Sequence, residues 1–405
     1  MKTESASAYS LNQDSFKSGK EMSENALSKI SNKNCVFAFV FASSEHYIPE
    51  LFRGIRSVLG DQIQLVGGTS SGIITNDFIG YEGIVAGILI IASSVVNFQS
   101  DMFEGLGESE YDTGKRAGKK LGESIRKENS NLLLFYDSIP NNPKDYLDFL
   151  KAVPMLSGIE SEISNWPTVA GVGLVNMARS AKTKVWLNNQ IQDEALLIVA
   201  ISGNIRMDTT IMHGLKPASD YHTITKTNDN IVLELDHKPA TELVKEYLGD
   251  SEEIEWKSAM YFITLGVNLG EKYGPFIPEN YVNRMVLAVD EKTGGLIMIE
   301  GDLKEGDNFQ FMRRCIETDM VKKGANDLLD SLGGRKPVFA FYISCLGRIK
   351  KIFGTEKEEA QEIQEALGDE IPLLGIYSGV EIAKVNNKIM PLDWTGVLCV
   401  FSIPE

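Results

Sequence analysis

The sequence predicts an α/β protein with mixed β-sheets flanked by helices, built from repeated α-β-α-β-β units in two tandem domains. Three observations predict it: distant stretches resemble each other, apolar runs of strand length end in small polar residues, and amphipathic segments lie between them. VFAFVFASSEH (Val36 to His46) aligns without gaps on VFAFYISCLGR (Val338 to Arg348). LGDQIQLVGGTSSGIIT (Leu59 to Thr75) returns as LGDEIPLLGIYSGVEIA (Leu367 to Ala383).

Each matching run of β-branched and aromatic residues reads as a buried strand entering a loop. A helix follows in both copies. Ile48, Leu51, Phe52, Ile55 and Leu59 share one face, with Pro49 in the first turn. In the later copy Thr355 and Glu358 form a capping-box pattern ahead of Ala360, Ile363 and Leu367. Gly60 and Gly368 stop the two helices, as an αL C-cap requires. A weaker copy lies between: LLLFYDSIP (Leu132 to Pro140), a helix beginning within Asp145 to Val153, and VAGVGLVN (Val169 to Asn176). Each copy runs on into another apolar stretch: IVAGILIIA, EALLIVAIS or TGVLCVFSI.

Each copy is also preceded by an amphipathic helix. Asp14 caps one bearing Met22, Ala26, Leu27 and Ile30; Asp112 or Thr113 caps one bearing Ala117, Leu121 and Ile125; the third lies within Phe311 to Leu329. A strand–helix–strand step predicts a parallel pair with a right-handed crossover, and the next strand is expected as a hairpin neighbour.

Between the second and third copies the pattern changes. Ile205 to Leu235 alternates as antiparallel strands do and passes into a helix near Ala240. Tyr281 to Glu300 predicts a hairpin around Thr293-Gly294-Gly295, and Asn268 to Tyr281 a long Gly/Pro loop. The boundary is expected near residue 215, giving domains 1–215 and 216–405.

Composition narrows the function. The 405 residues are 43% apolar and 24% charged, with a net charge of −16, which disfavours nucleic acid and anionic membranes as partners. The most apolar segment, Gly83 to Val96, is too short to span a bilayer and reads as a strand, so no membrane insertion is expected. Cys35, Cys315, Cys345 and Cys399 are too dispersed for a disulfide framework or a zinc site, which points to a reducing cytoplasm. The first residues lack the apolar core of a signal peptide. No metal or cofactor is expected: the four histidines fit no ligand spacing, and Gly67-Gly68-Thr69-Ser70-Ser71-Gly72 is not a dinucleotide fingerprint.

Two constellations at strand ends are candidate ligand-binding sites. The C-terminal one is Cys345, Arg348, Tyr377, Ser378 and Glu381, in which Arg348 clamps a carboxylate and Glu381 receives an ammonium. Its plain alternative is that Arg348 and Glu381 pair with each other while Cys345 is a small buried apolar residue. The N-terminal one is Ser43, Ser44, His46, Thr69, Ser70 and Ser71, whose hydroxyls and backbone N–H groups suit an anion but are also ordinary turn chemistry. The acidic runs Asp250 to Glu255 and Glu356 to Glu362 read as solvated helix faces or caps.

These residues carry a resemblance. FASSEH with VGGTSSGII, then HGLKPASDYHTITKTNDNIVLELDHKPATELVKEYLG, then YVNRMVLAVDEKTGGLIMIEGDLKEGD, SCLGR and GIYSGVEI, resemble in order and spacing the FIST family (F-box and intracellular signal transduction proteins), with an N-terminal and a C-terminal FIST domain. The similarity covers nearly the whole chain beyond about the first ten residues. Where the family often shows a Gly-Glu pair, this chain has Gly72-Ile73 and Val380-Glu381, so the resemblance implies two non-equivalent sites. It also implies a stand-alone small-molecule-binding sensory protein with an amino acid or similar metabolite as ligand. With no output domain or F-box of its own, it would signal through a partner protein or self-association. The rival expectations are an enzyme acting on an amino-acid-like substrate through Cys345 or Glu381, and a ligand-free interaction scaffold.

Overall fold

The computed structural model describes residues 3–124, 130–143, 148–176, 182–249, 255–259, 262–315 and 318–404. Three copies of one unit form its frame, and each unit opens with a strand that the repeat pattern did not show. In the first unit the strand order is Glu4–Ser10, Ala86–Ala92, Phe37–Ala42, Gln64–Thr69. The second unit repeats this with Val96–Glu104, Ala195–Gly203, Asn131–Asp137 and Thr168–Leu174. The third repeats it with Arg206–Met212, Gly396–Ile403, Lys336–Cys345 and Leu373–Val385. The unit is therefore β-α-β-α-β-β. The opening strands of the first two units escape notice because their apolar content is low, as in VNFQSDMFE, whereas Arg206–Met212 falls within the stretch from Ile205 expected to alternate as antiparallel strands.

The expected parallel pairs are present: Ala42 lies opposite Thr69, Asp137 opposite Leu174 and Cys345 opposite Ser378. The expected hairpin neighbour is not. The last strand of each unit lies antiparallel to the unit's middle strand rather than to the strand it follows, so Phe39 pairs with Leu89 and Phe341 with Cys399. The outer edge of each parallel pair is thereby left for another unit. Leu373–Val385 takes Thr168–Leu174 antiparallel, fusing the second and third sheets, and also takes the short strand Ile73–Ile74 of the first unit. Val185–Leu187 closes the edge of Gln64–Thr69.

The strands alternate between two cores. Phe37, Phe39 and Phe41 face the central core shared by all three sheets, while Ala38, Val40 and Ala42 face the unit's own helices. At the centre Phe39, Phe41, Phe135 and Phe341 meet with ring centroids 5.4 to 6.1 Å apart. Both faces of these strands are buried, which is why they read as unbroken apolar runs.

On the outer faces the helices pair. Ser15–Ser28 crosses Ile48–Leu59, and Glu110–Ser124 crosses Ala152–Glu160, each through facing glycines. A Cβ on Gly54 would lie 2.1 Å from the Phe16 carbonyl oxygen, and one on Gly158 2.1 Å from that of Tyr111. The third pair, Asp319–Asp330 with Ala360–Leu367, has no such approach; Gly324 meets only the Met212 side chain.

Several local expectations change. Asp14 caps its helix through Lys17 N (2.9 Å), but the second unit's first helix begins at Glu110, with Ser109 Oγ accepting from Asp112 N. Its partner helix runs from Ala152 to Glu160, its start at the end of the expected stretch; Asp145 and Ile125 lie outside the described residues. The Thr355 capping box does not form, because Glu358 accepts from Tyr81 and Lys350 instead. Gly60 and Gly368 stop their helices at positive φ (86° and 60°) but with extended ψ rather than αL.

The third unit is interrupted. After Met212 the chain leaves the sheet, builds a six-stranded antiparallel ring, and returns with the helix Asp319–Asp330. The ring runs through Asn308–Arg314, His222–Asn228, Ile231–Leu235, Gly295–Met298, Tyr281–Asp290 and Thr264–Asn268, which pairs back to the first. Closure pairs each of these six strands on both sides. The expected hairpin, with Gly294 at φ 68°, and the helix Ala240–Leu248 both belong to it.

Gly54→Ala and Gly158→Ala each place a methyl group on a backbone oxygen, and each is expected to lower unfolding stability by about 2–3 kcal/mol. Gly324→Ala is expected to cost less than about 1 kcal/mol, because a flexible side chain can give way and alanine favours helix. Urea denaturation of the three variants checks the contrast.

Candidate functional site at the unit junction

The fusion of sheets through the outer edges brings the carboxyl ends of all three parallel pairs together. The N-terminal and C-terminal constellations are consequently one place. Ser70 Oγ lies 3.5 Å from the Tyr377 carbonyl oxygen and donates to the Gly72 carbonyl at 2.6 Å. Ser71 Oγ donates to the Val175 carbonyl at 2.9 Å, and Asn176 Nδ2 donates to Ser44 Oγ at 2.7 Å. A Cβ on Gly379 would stand 3.3 Å from Ser138 Oγ, so the second and third units touch here as well. Ser43 Oγ accepts from Val85 N, and Thr69 Oγ1 accepts from Lys184 N. His46 turns away from the junction, with Nδ1 3.2 Å from Ser15 Oγ.

Asn176 and Ser138 are the junction groups that sequence reasoning missed. Both lie just past the strand ends of the second copy, so the repeat alignment that singled out Ser43 and Ser378 points to them too.

Tyr377 is buried, its ring edge-on to Tyr81 at 5.5 Å. Ser378 and Glu381 are buried beside it, on either side of a bulge at Gly379. Ser378 Oγ is 2.8 Å from the Ser344 carbonyl oxygen and 2.6 Å from Glu381 Oε1. The Ser378 hydroxyl donates at Glu381 Oε1, while Oε2 accepts from Thr395 N at 3.2 Å. Burial pushes the Glu381 pKa well above the carboxyl range, against the Ser378 hydrogen bond that lowers it, which favours the protonated acid. The Cys345 thiol is also buried, and burial pushes its pKa up.

Arg348 is committed elsewhere. Its Nε donates to Glu359 Oε1 at 3.0 Å and Nη2 bonds Glu359 Oε2, while Nη1 donates to the carbonyls of His213 and of Trp394 (2.7 Å). Tyr342 donates to the same Glu359 at 2.9 Å. The partner of Arg348 is thus Glu359 rather than Glu381 or an open cleft, and the guanidinium ties the third unit to the segment where the barrel begins. Glu359 and Glu362 lie in a run expected to be a solvated face, yet both are buried, with Glu362 accepting from Thr318 at 3.0 Å. Of the run at 250–255, residues 250–254 lie outside the described residues.

Fold and junction define a repeat-built α/β protein whose polar strand ends meet in a buried seam. The chain belongs to the FIST family: the FIST N domain matches residues 36–238 and the FIST C domain residues 240–384. FIST domains are sensory domains of signal transduction. An uncharacterised protein of Mycobacterium bovis is 23% identical over 248 residues, 60% of this chain and 63% of the relative. One of Methanocaldococcus jannaschii is 24% identical over 297 residues, 70% of this chain and 53% of the relative. The chain thus spans less than two thirds of the length of these curated relatives. Among solved structures, cyanuric acid hydrolase from A. caulinodans aligns over 100% of both chains at 8% identity, with a TM-score of 0.41. No helix among the described residues is long and apolar enough to cross a membrane.

The proton on Glu381 has a sign that can be measured. A folded-state pKa above the unfolded value gives stability that is complete below the unfolded carboxyl range and is withdrawn as pH rises. Glu381→Gln keeps a donor for Ser378 and an acceptor for Thr395 without the proton. Its Tm relative to wild type is expected to rise between about pH 5 and pH 8, whereas Glu381→Ala lowers Tm at both. A Gln-minus-wild-type difference that does not change with pH would mean the carboxyl is ionised.

For the buried ion pair, Arg348→Met is expected to cost about 3–5 kcal/mol by leaving Glu359 unpaired, with much of it recovered in Arg348→Met/Glu359→Leu. Chemical denaturation of the single and double variants measures both.

Proposed function

We propose that this chain is the ligand-sensing part of a signalling system, taking a small polar metabolite of the amino-acid class at the unit junction. One observation carries the reading: hydroxyl and amide groups from three separate parts of the chain meet at the seam that also holds the units together. A ligand bonded to Ser71, Asn176 and Ser70 would bear on the contacts between units, which is how occupancy could alter overall shape. Membership of a sensory family supports the same reading. The carboxylate of such a ligand would take the place of the neutral acceptors that Ser71 and Asn176 now hold, whereas the guanidinium of Arg348 is held by a charged partner, Glu359.

Catalysis through Cys345 is not part of this proposal, because a thiol whose pKa is raised by burial and a nearby acid is a poor nucleophile. The four cysteines are free, in keeping with the reducing cytoplasm proposed as its location. The signal is proposed to leave through a partner protein or self-association.

A thermal-shift screen of the full chain against amino acids and related metabolites is expected to find a class that raises Tm in proportion to the logarithm of concentration. Ser71→Ala and Asn176→Ala are expected to weaken that response at least about tenfold, equivalent to ~1.4 kcal/mol. A panel that leaves Tm unmoved, or a response unchanged in both variants, would count against the junction as the site.

A further inference from the structure

Where the barrel meets the second and third units, a second set of buried polar groups is left incomplete. On the barrel, Arg284 Nε donates to Asp302 Oδ1 at 2.8 Å and Nη2 bonds Oδ2, while Nη1 donates to the Pro391 carbonyl at 2.9 Å. Glu300 accepts from Ala152 N (2.8 Å) and Val153 N (3.1 Å), so a barrel carboxylate caps a helix of the second unit. Asp393 of the third unit accepts from Met285 N at 2.7 Å through Oδ2. Asp302 has its guanidinium and Glu300 its helix N–H groups.

Asp393 Oδ1 is different. The residue is 1% exposed and among the described residues that oxygen has no partner; nor have the Tyr136 hydroxyl and both amide atoms of Asn283, on residues 0% exposed. These orphans share a neighbourhood. The Tyr136 hydroxyl sits against Gly173, where a Cβ would be 2.8 Å from it, and its pKa is pushed up by burial and by the charges of Glu300, Asp393, Glu381 and Glu110. Asn283 is on the strand whose Met285 N–H holds Asp393, two positions before it. Among the described residues Asp393 makes no ion pair, although burial pushes its pKa only to about 6, with Arg284 opposing, so near neutral pH it is largely ionised. A buried carboxylate with an unused oxygen is costly unless a cation joins it.

We propose that this seam binds the ammonium group of a small amine ligand, on Asp393 Oδ1, with the Tyr136 hydroxyl and the Asn283 amide as further acceptors. An ammonium has three donors, and these residues offer three acceptors. Water could fill the hydrogen bonds but would not balance the charge. No group of three or more His, Cys, Asp or Glu among the described residues is placed to hold a metal ion. The inference rests on the sensory reading and names the ligand's cationic end. It also gives the signal a path, because the three acceptors belong to the third unit, the second unit and the barrel.

The test uses the full chain near pH 7.5, with ammonium chloride, methylamine and glycine as probes, against sodium chloride and tetramethylammonium chloride at matched ionic strength. At least one primary-amine or ammonium probe is expected to raise Tm beyond its salt control. Its affinity should fall about tenfold per pH unit well below pH 6, as a proton competes for Asp393. Tyr136→Phe should weaken binding several-fold and Asp393→Asn abolish it. If Asp393→Asn does not fold, Tyr136→Phe and the wild-type pH profile decide.

The proposal is overturned if no amine exceeds its salt control, or if binding is unchanged in Tyr136→Phe and flat across pH. A ligand whose binding needs Ser71 but not Asp393 or Tyr136 would overturn this site and leave the sensory reading intact.

Discussion

An unpaired strand edge cannot be buried without satisfying its N–H and C=O groups, and this molecule is organised by that constraint. In each unit the last strand returns beside the middle strand, so the outer edge of the parallel pair is open. Leu373–Val385 satisfies its edge with Thr168–Leu174 and Ile73–Ile74, and Gln64–Thr69 satisfies its own with Val185–Leu187. The units are joined by main-chain hydrogen bonds as well as by the aromatic cluster at their centre. The length of Leu373–Val385, 13 residues, lets its first half pair with Lys336–Cys345 while Ser378 to Ile382 pair with the second unit and Glu381 to Val385 with Lys388–Leu392.

Because the edges meet, so do the loops that follow them. Small residues such as Gly72, Gly173 and Gly379 permit the close approach, and Ser and Asn side chains then satisfy backbone groups that would be orphaned between units. Junction and seam are thus one feature with two roles. The buried charges are handled differently at each place: Arg348 and Glu359 neutralise one another, burial pushes Glu381 toward its neutral form, Glu300 caps a helix, and among the described residues Asp393 keeps one oxygen unpaired.

Much of the fold was legible. The repeat was visible because both faces of Phe37–Ala42 and Lys336–Cys345 are buried, which forces an apolar run that can be recognised in another copy. The barrel hairpin and the helix from Ala240 followed from turn residues and periodicity. The opening strands of the first two units were not legible, since edge strands need not be apolar; that of the third, Arg206–Met212, fell within the stretch from Ile205 that alternates as antiparallel strands do. Nor was the partner of Arg348: Glu359 sits in an acidic run, and nothing local distinguishes the one glutamate that turns inward.

The sequence by itself determined the α/β class, the three copies and the residues at their strand ends, because periodicity and turn chemistry are properties of short stretches. Only the tertiary structure decided that two apparently separate constellations are one junction. It alone decided that Arg348 is sequestered, that burial raises the pKa of Glu381, and that Asp393 is left incomplete. Those outcomes depend on which groups from distant segments share a low-dielectric space, and hydrogen-bond satisfaction there is settled by neighbours that no local pattern encodes.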